Sequence, residues 1–386
     1  MMLAPFKTPI YVTRPVFPDL ADYTDQLRNI WESKQLTNNG SQHKKLETEL
    51  AAYLGASHLK LFNNGTLALL LGLKALGLKG EVITTPFTFP ATVQCLDWNQ
   101  LTPVFCDIDP ITLNIDADKI ESLITEQTTA ILAVHVFGNP CEVEKIQRIA
   151  DKHNLRVIYD GAHVFGTEIN GKPINSFGDM TMYSFHATKL FNTVEGGALA
   201  FKDAQMEQQL ELLKNFGLLN AEQVVLSGLN AKMNELQAAM GIEVLKVVEV
   251  ERRKRHELKK TYETHLAGIP GIRIITNLEG PASSYQYFVI EIDDSLYGRT
   301  RDELFNELAK FNIFPRKYFY PLCSDFSWYS HLESARPENL PFSRKLVHQV
   351  LSMPFYGELG TDAAEKICEI IRELHVEQKE LLNFRK

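Results

Sequence analysis

Three apolar runs of the chain are each followed by a residue set able to do chemistry. The run 156–160 ends in Asp160 and continues Gly161-Ala162-His163. The run 180–185 leads into Ser184-Phe185-His186-Ala187-Thr188-Lys189, and the run 59–62 is followed by Asn63-Asn64-Gly65-Thr66 at the start of a helical pattern. A carboxylate closing an apolar strand is costly to bury without a partner. A small-residue turn opening a helix offers free N–H groups and the positive end of a dipole, which suits a phosphate. A lysine among apolar residues can be a nucleophilic amine. Taken singly, these are an ordinary turn residue, a helix cap and a surface charge. Together they are the set that pyridoxal phosphate requires: a lysine for its aldehyde, an acid that keeps its ring nitrogen protonated, and N–H and hydroxyl donors for its phosphate.

The elements that must position them follow from hydrophobic pattern. Strands are expected at 59–62, 81–84, 103–107, 130–136, 156–160, 180–185 and 198–201. Most are apolar throughout, as strands are when helices cover both sheet faces. Helical patterns at 66–78, 91–99, 116–124 and 142–153 alternate with them. The expectation is an α/β fold with a large, mostly parallel seven-stranded sheet joined by right-handed crossovers, its ligand at the carboxyl ends of the strands. Residues 235 to 265 read as one long helix, whose charge run Glu249, Glu251, Arg252, Arg253, Lys254 and Arg255 is expected to be a solvated face. Beyond Pro270 the pattern is that of a smaller α+β region, with strands at 271–275 and 285–292 and helices at 301–311, 341–351 and 362–382. The stretch 324–341 is expected to be a loop able to cover a site. The division is a large cofactor-binding domain with the N-terminal segment (1–248) and a small C-terminal domain (249–386).

Composition excludes several classes. The 386 residues carry 40 basic and 48 acidic side chains, a net charge of −8, so generic nucleic-acid binding is not expected. At 45% apolar and 23% charged, the chain has enough large apolar residues to fold. No apolar run reaches the roughly 18 residues of a membrane span, and residues 1–12 hold no apolar signal-peptide core. Cys95, Cys106, Cys141, Cys323 and Cys368 are scattered with no C-x-x-C pair, which favours buried reduced thiols in a cytoplasmic protein over disulfides or a metal site. No G-x-G-x-x-G follows a strand, so a Rossmann dehydrogenase is not expected.

The order and wording of the motifs carry a resemblance. Asn64-Gly65-Thr66, Thr85-Pro86-Phe87-Thr88-Phe89, Asp160-Gly161-Ala162-His163, Ser184 to Lys189, Glu195-Gly196-Gly197 and Leu229 to Ala239 occur in sequence. The chain closely resembles the DegT/StrS nucleotide-sugar aminotransferases, fold-type I pyridoxal phosphate enzymes of aspartate aminotransferase-like fold. The likeness runs from Leu36-Thr37-Asn38-Asn39-Gly40 to Tyr318-Phe319-Tyr320-Pro321-Leu322. It implies that Lys189 forms the Schiff base and shuttles the proton, that Asp160 partners the ring nitrogen, and that His163 lies beside the ring. It implies that Phe89 stacks on the ring, and that Gly65, Thr66 and Ser184 donate to the phosphate. Asn230 matches a residue that reaches the cofactor phosphate from the neighbouring subunit of a homodimer, and Lys232 would contact either phosphate group. Asn38, Arg316, Tyr318 and Tyr320 would bind substrate, with Arg316 and Lys317 near its diphosphate. His135 and His186 are expected to be packed or supporting histidines.

Within the family, Thr37 to Gly40, Phe105-Cys106-Asp107-Ile108-Asp109 and His135-Val136-Phe137-Gly138-Asn139-Pro140 look most like enzymes that make dTDP-4-amino-4,6-dideoxyglucose. The implied reaction takes nitrogen from L-glutamate and places it on carbon 4 of dTDP-4-keto-6-deoxyglucose, for surface polysaccharide. Alternatives are amination at carbon 3 of the 3-keto isomer, a dehydratase of the kind that carries histidine in place of Lys189, and a non-enzymatic binding protein. Gly161 stands where relatives commonly have Ala, and Ala231 where many are bulky.

Overall fold

Seven strands form the large sheet of the computed structural model, which describes residues 4–275 and 283–384. They are β1 (His58–Phe62), β2 (Glu81–Thr84), β3 (Thr102–Phe105), β4 (Thr128–Val134), β5 (Arg156–Asp160), β6 (Met180–Ser184) and β7 (Gly197–Phe201). The spatial order is β1-β7-β6-β5-β4-β2-β3, parallel except for β7, which runs antiparallel to both neighbours. Alternate residues feed opposite faces. Met180, Met182 and Leu199 pack with Leu69 and Leu73 of the helix Gly65–Ala75, whereas Tyr183, Ala198 and Ala200 pack with Leu46 and Leu50 of the helix Ser41–Leu54. Covering both faces with helices is why these strands read as continuous apolar runs.

The 32-residue helix Glu235–Leu266 begins at a capping box made by Asn234 and Gln237. Its first half, Ala238 to Val248, joins the core under the large sheet, while Leu258, Tyr262 and Leu266 join a second core with Ile367 and Ile371 of the helix Thr361–Phe384. The position 248/249 lies inside this helix. The second core backs an antiparallel sheet of β8 (Ile272–Ile274), β9 (Phe288–Ile292) and β10 (Val350–Met353), in the order β8-β9-β10. A bridging cluster places Phe87, Val134 and Phe137 from the carboxyl ends of the large sheet against Tyr287, Val289 and Phe319. This contact sets the walls of the site described below.

Several expectations are corrected. The helix expected at 341–351 stops at Leu346, and 350–353 is the strand β10, pinned by its pairing with β9. Its apolar residues suit either element, and only the partner strand decides. The helix expected at 116–124 is one α-turn, Ala117–Ile120, followed by a 3₁₀ turn, Glu121–Leu123. Segment 324–341 is three 3₁₀ turns packed on the sheet edge, where Tyr329, Ala335 and Leu340 meet Phe105 and Val93, so it does not cover the site. The charge run is only half solvated: Arg253 and Lys254 are exposed, but Glu251, Arg252 and Arg255 are buried, with Arg255 Nε 2.6 Å from Glu251. The helices Leu20–Ser33, Ser41–Leu54 and Met206–Leu213 were not expected. All five cysteines are free and buried, as expected.

Candidate active site

A cavity of about 620 Å³ opens at the carboxyl ends of β1, β5 and β6. Nine of the residues expected to bind cofactor or substrate line it: Gly65, Thr66, Phe89, Asp160, His163, Ser184, Lys189, Arg316 and Tyr318. The topology explains the convergence, since parallel strands deliver their carboxyl-end loops to one side of the sheet.

The phosphate-type cradle is built by close approach. Asn64 caps the helix Gly65–Ala75 by accepting from the Leu67 amide at 2.8 Å, which leaves the amides of the first turn without helical acceptors. Gly65 and Gly197 face one another so tightly that a Cβ on Gly197 would stand 2.5 Å from the Gly65 nitrogen. The Gly65-Thr66 and Glu195-Gly196-Gly197 motifs are thus two halves of one contact between the helix start and β7.

Asp160 is 5% exposed at the end of β5. Its Oδ2 accepts from Thr92 Oγ1 at 2.7 Å and its Oδ1 from the Ala162 amide at 3.0 Å. Burial raises its pKa, and these two donors and Lys189 oppose that shift. Among the described residues no cationic side chain pairs with it within ion-pair distance, so the carboxylate is buried, oriented and short of a positive partner. Next to it, a Cβ on Gly161 would stand 2.7 Å from Thr181 Cγ2 and 2.8 Å from the Met182 carbonyl. Glycine is the residue this tight turn accepts.

Burial lowers the pKa of Lys189, with Arg316 adding to the effect and Tyr318 and Asp160 opposing it. Its Nζ lies 5.7 Å from the centre of the Tyr287 ring. Burial likewise holds the His163 imidazole far below its ordinary pKa, and its Nδ1 is buried with no hydrogen-bond partner. The His163 ring meets Tyr287 edge-to-face at 5.0 Å and Phe319 face-to-face at 6.1 Å. Phe89 is 55% exposed at the start of the helix Pro90–Trp98, an apolar ring left open to the cavity. The Arg316 guanidinium lies 4.9 Å above the Tyr318 ring.

Other expected residues lie elsewhere. Tyr320 packs against His348 at 5.3 Å outside the cavity, and Lys317 pairs with Asp302 at 2.6 Å. Asn38 is exposed in a left-handed turn (φ 62°) ahead of Gly40, where a Cβ would stand 2.5 Å from the Glu235 carboxyl carbon. That turn serves Glu235, which caps the helix Ser41–Leu54 by accepting from the amides of Gln42 and His43. Asn230 and Lys232 also lie outside this cavity, Lys232 Nζ bridging Asn215 at 2.7 Å and Asn230 at 2.9 Å. His135 is fully buried, stacked on Tyr159 at 4.6 Å. His186, by contrast, is not packed away: it lines the cavity, with Nε2 3.5 Å from Glu195. Thr92, Tyr287, Phe319 and Glu195 join the site without having been picked out individually. Glu195 and Phe319 had a signal, since each lies in a quoted motif; Thr92 and Tyr287 had none.

Residues 20–372 match the model of the DegT/DnrJ/EryC1/StrS aminotransferase family. The chain belongs to that family. It is similar to a dTDP-4-amino-4,6-dideoxy-D-glucose transaminase of Shigella dysenteriae (44% identical, covering 95% of this chain and all of the relative). It is likewise similar to one of Escherichia coli (43% identical, 94% of this chain and 98% of the relative). Among solved structures, DesI crystallised with its TDP-sugar product superposes with a TM-score of 0.91 at 34% identity, covering 100% of this chain and 97% of that one. As a member of this aminotransferase family the chain is a sugar aminotransferase of PLP fold type I.

Pyridoxal phosphate suits the geometry. A buried anion lacking a cation, an unpartnered buried imidazole Nδ1, a glycine-built helix start and a buried amine of lowered pKa share one cavity. Among the described residues, no group of three His, Cys, Asp or Glu side chains is placed to hold a metal, and no helix is long and apolar enough to cross a membrane.

Proposed function

We propose that this aminotransferase moves the amino group of L-glutamate to carbon 4 of dTDP-4-keto-6-deoxyglucose, giving dTDP-4-amino-4,6-dideoxyglucose for surface polysaccharide. The observation that carries the reaction class is the presence of both Lys189 and Asp160 in one cavity. The two 4-amino relatives at 44% and 43% identity support carbon 4, against 31% for a dTDP-3-amino-3,6-dideoxy-alpha-D-galactopyranose transaminase of Aneurinibacillus thermoaerophilus.

When bound, pyridoxal phosphate supplies an aldehyde that takes up amines and a protonated ring that withdraws electrons from the reacting carbon. Asp160, kept in register by Thr92 and Ala162, would hold the ring nitrogen protonated. Lys189 Nζ, favoured as a neutral amine by burial, carries the proton to and from the reacting carbons in both half-reactions. Phe89 and His163, both on the cavity wall, would contact the ring. Gly65, Thr66 and Ser184 would hold the phosphate, and Arg316 and Tyr318, which also line the cavity, would meet substrate.

The working unit is a homodimer in the cytoplasm, with Asn230 and Lys232 contributing to the partner's site. Two features support this reading. Both residues lie outside the cavity of their own chain, and Phe216, Leu219, Val224, Val225 and Leu229 around them are exposed apolar residues that a second copy would cover.

The test incubates the purified protein with glutamate and, in parallel, the 4-keto and 3-keto sugar nucleotides, with mass spectrometry and NMR of the products. The expected result is 2-oxoglutarate and a 4-amino sugar from the 4-keto substrate. Turnover confined to the 3-keto isomer, or loss of a hydroxyl without gain of nitrogen, would replace this reading.

A further inference from the structure

Gln286 is 2% exposed, and both ends of its carboxamide are hydrogen-bonded. Oε1 accepts from the Leu190 amide at 2.8 Å and Nε2 donates to the Thr188 carbonyl at 3.0 Å. These are the peptide groups on either side of Lys189, and among the described residues neither the Leu190 N–H nor the Thr188 C=O has a backbone partner. The grip belongs to a short strut. Two residues earlier, Ser284 Oγ donates to the His163 carbonyl at 2.5 Å, and one residue later the Tyr287 ring lies under Lys189 Nζ and against His163. The strut is anchored from behind: Arg255 Nη1 donates to the Tyr285 carbonyl at 3.3 Å, Arg255 Nε pairs with Glu251, and Glu251 Oε1 accepts from the Gly357 amide at 2.8 Å.

We propose that Gln286 is the positioning residue of Lys189, its two-point grip on the flanking peptide groups fixing where the lysine amine stands in the cavity. A carboxamide matches one N–H and one C=O as a neighbouring strand would, with a donor and an acceptor in fixed relation. Without it, two buried backbone groups lose their partners and the turn is free to re-form around other acceptors. The proposal rests on the reading that Lys189 is the reacting amine. Its main test is done without cofactor, so that the two fail separately.

The variants are Gln286→Met, which keeps length and removes both bonds, and Gln286→Glu, which keeps the acceptor for Leu190 but faces the Thr188 carbonyl with a second acceptor. Cofactor-free protein is labelled with limiting acetic anhydride across a pH series, and acetylation of the Lys189 peptide is read by mass spectrometry against exposed Lys34 as internal standard. Relative to Lys34, the Lys189 labelling curve is expected to move in both variants, further in Gln286→Met. In the holoenzyme kcat is expected to fall about 10- to 100-fold, as for a displacement of about 1 Å, with KM for both substrates within about threefold. A Lys189 labelling curve that matches wild type in either folded variant overturns the proposal, whatever happens to kcat. If Gln286→Met does not fold, Gln286→Glu decides by the same curve. If borohydride reduction of the wild-type holoenzyme marks a peptide other than that of Lys189, the earlier reading falls while the labelling curve still judges the grip.

Discussion

Thr92 Oγ1 stands 2.7 Å from Asp160 Oδ2, and Thr88 Oγ1 stands 2.8 Å from Thr92 in turn. An ionised carboxylate only accepts, so Thr92 donates to Asp160 and accepts from Thr88. The acid at the end of β5 is therefore aimed by a hydroxyl relay from the start of the helix Pro90–Trp98. Thr92→Val keeps the shape and removes the donor. Loss of a hydrogen bond to a charged group costs about 1.5–3 kcal/mol, so cofactor affinity is expected to fall roughly 10- to 100-fold. Titration of the apoprotein with pyridoxal phosphate, followed by fluorescence, reads this directly. Wild-type affinity would show that Asp160 needs no such aim.

Lys189→Ala is expected to abolish both half-reactions, and borohydride should then fix no cofactor on the 184–189 peptide. Because burial disfavours the charged amine in the folded chain, the cofactor-free variant is expected to melt no lower than wild type. A variant that retained measurable transfer from glutamate would remove Lys189 from the mechanism.

Asn230→Ala and Lys189→Ala subunits, each inactive alone, are expected to complement when mixed and allowed to exchange. A mixed dimer would carry one site with both lesions and one with neither. Random exchange of equal amounts makes about half the dimers mixed, so recovery of about a quarter of wild-type activity is expected. No recovery in a mixture shown by native mass spectrometry to hold mixed dimers would place Asn230 in the site of its own subunit.

Two buried histidines make stability fall with acid. Burial pushes both His43 and His135 down to about 3. In the unfolded chain they titrate near about 6.5, so below that pH the unfolded state binds protons that the folded state refuses. Their contribution is intact above pH 6.5 and is lost progressively towards pH 3. Both ring nitrogens of His43 are also buried without a partner. His43→Leu is therefore expected to melt at or above wild type at pH 7 and to lose less between pH 6.5 and pH 4, measured by thermal melts in matched buffers. An equally steep decline would assign the acid sensitivity to other groups.

The order of the strand-end motifs was enough to reach Lys189, Asp160, His163 and the Gly65-Thr66 turn. Each of these follows an apolar run whose end is set by local pattern, and parallel strands bring such ends to one side of a sheet whatever the details of packing. The same local reasoning failed where a run of apolar residues suits two elements, as at 350–353, which became β10 only because β9 was there to pair with it. It also failed for residues whose role is a long-range contact. Gln286 lies 96 residues beyond Leu190, and Thr92 lies 68 residues before Asp160. Neither has a periodicity or a neighbour in sequence that marks it, because a hydrogen bond between distant segments leaves no trace in either segment alone. Tyr320 and Asn38, which sat inside resembling motifs, lie outside the cavity of their own chain, Tyr320 beside His348 and Asn38 in the left-handed turn before Gly40. Residue types and their order decided which chemistry the chain carries. The three-dimensional fold decided which side chains aim it, since aim depends on segments that meet only after the sheet and the smaller domain have closed on one another.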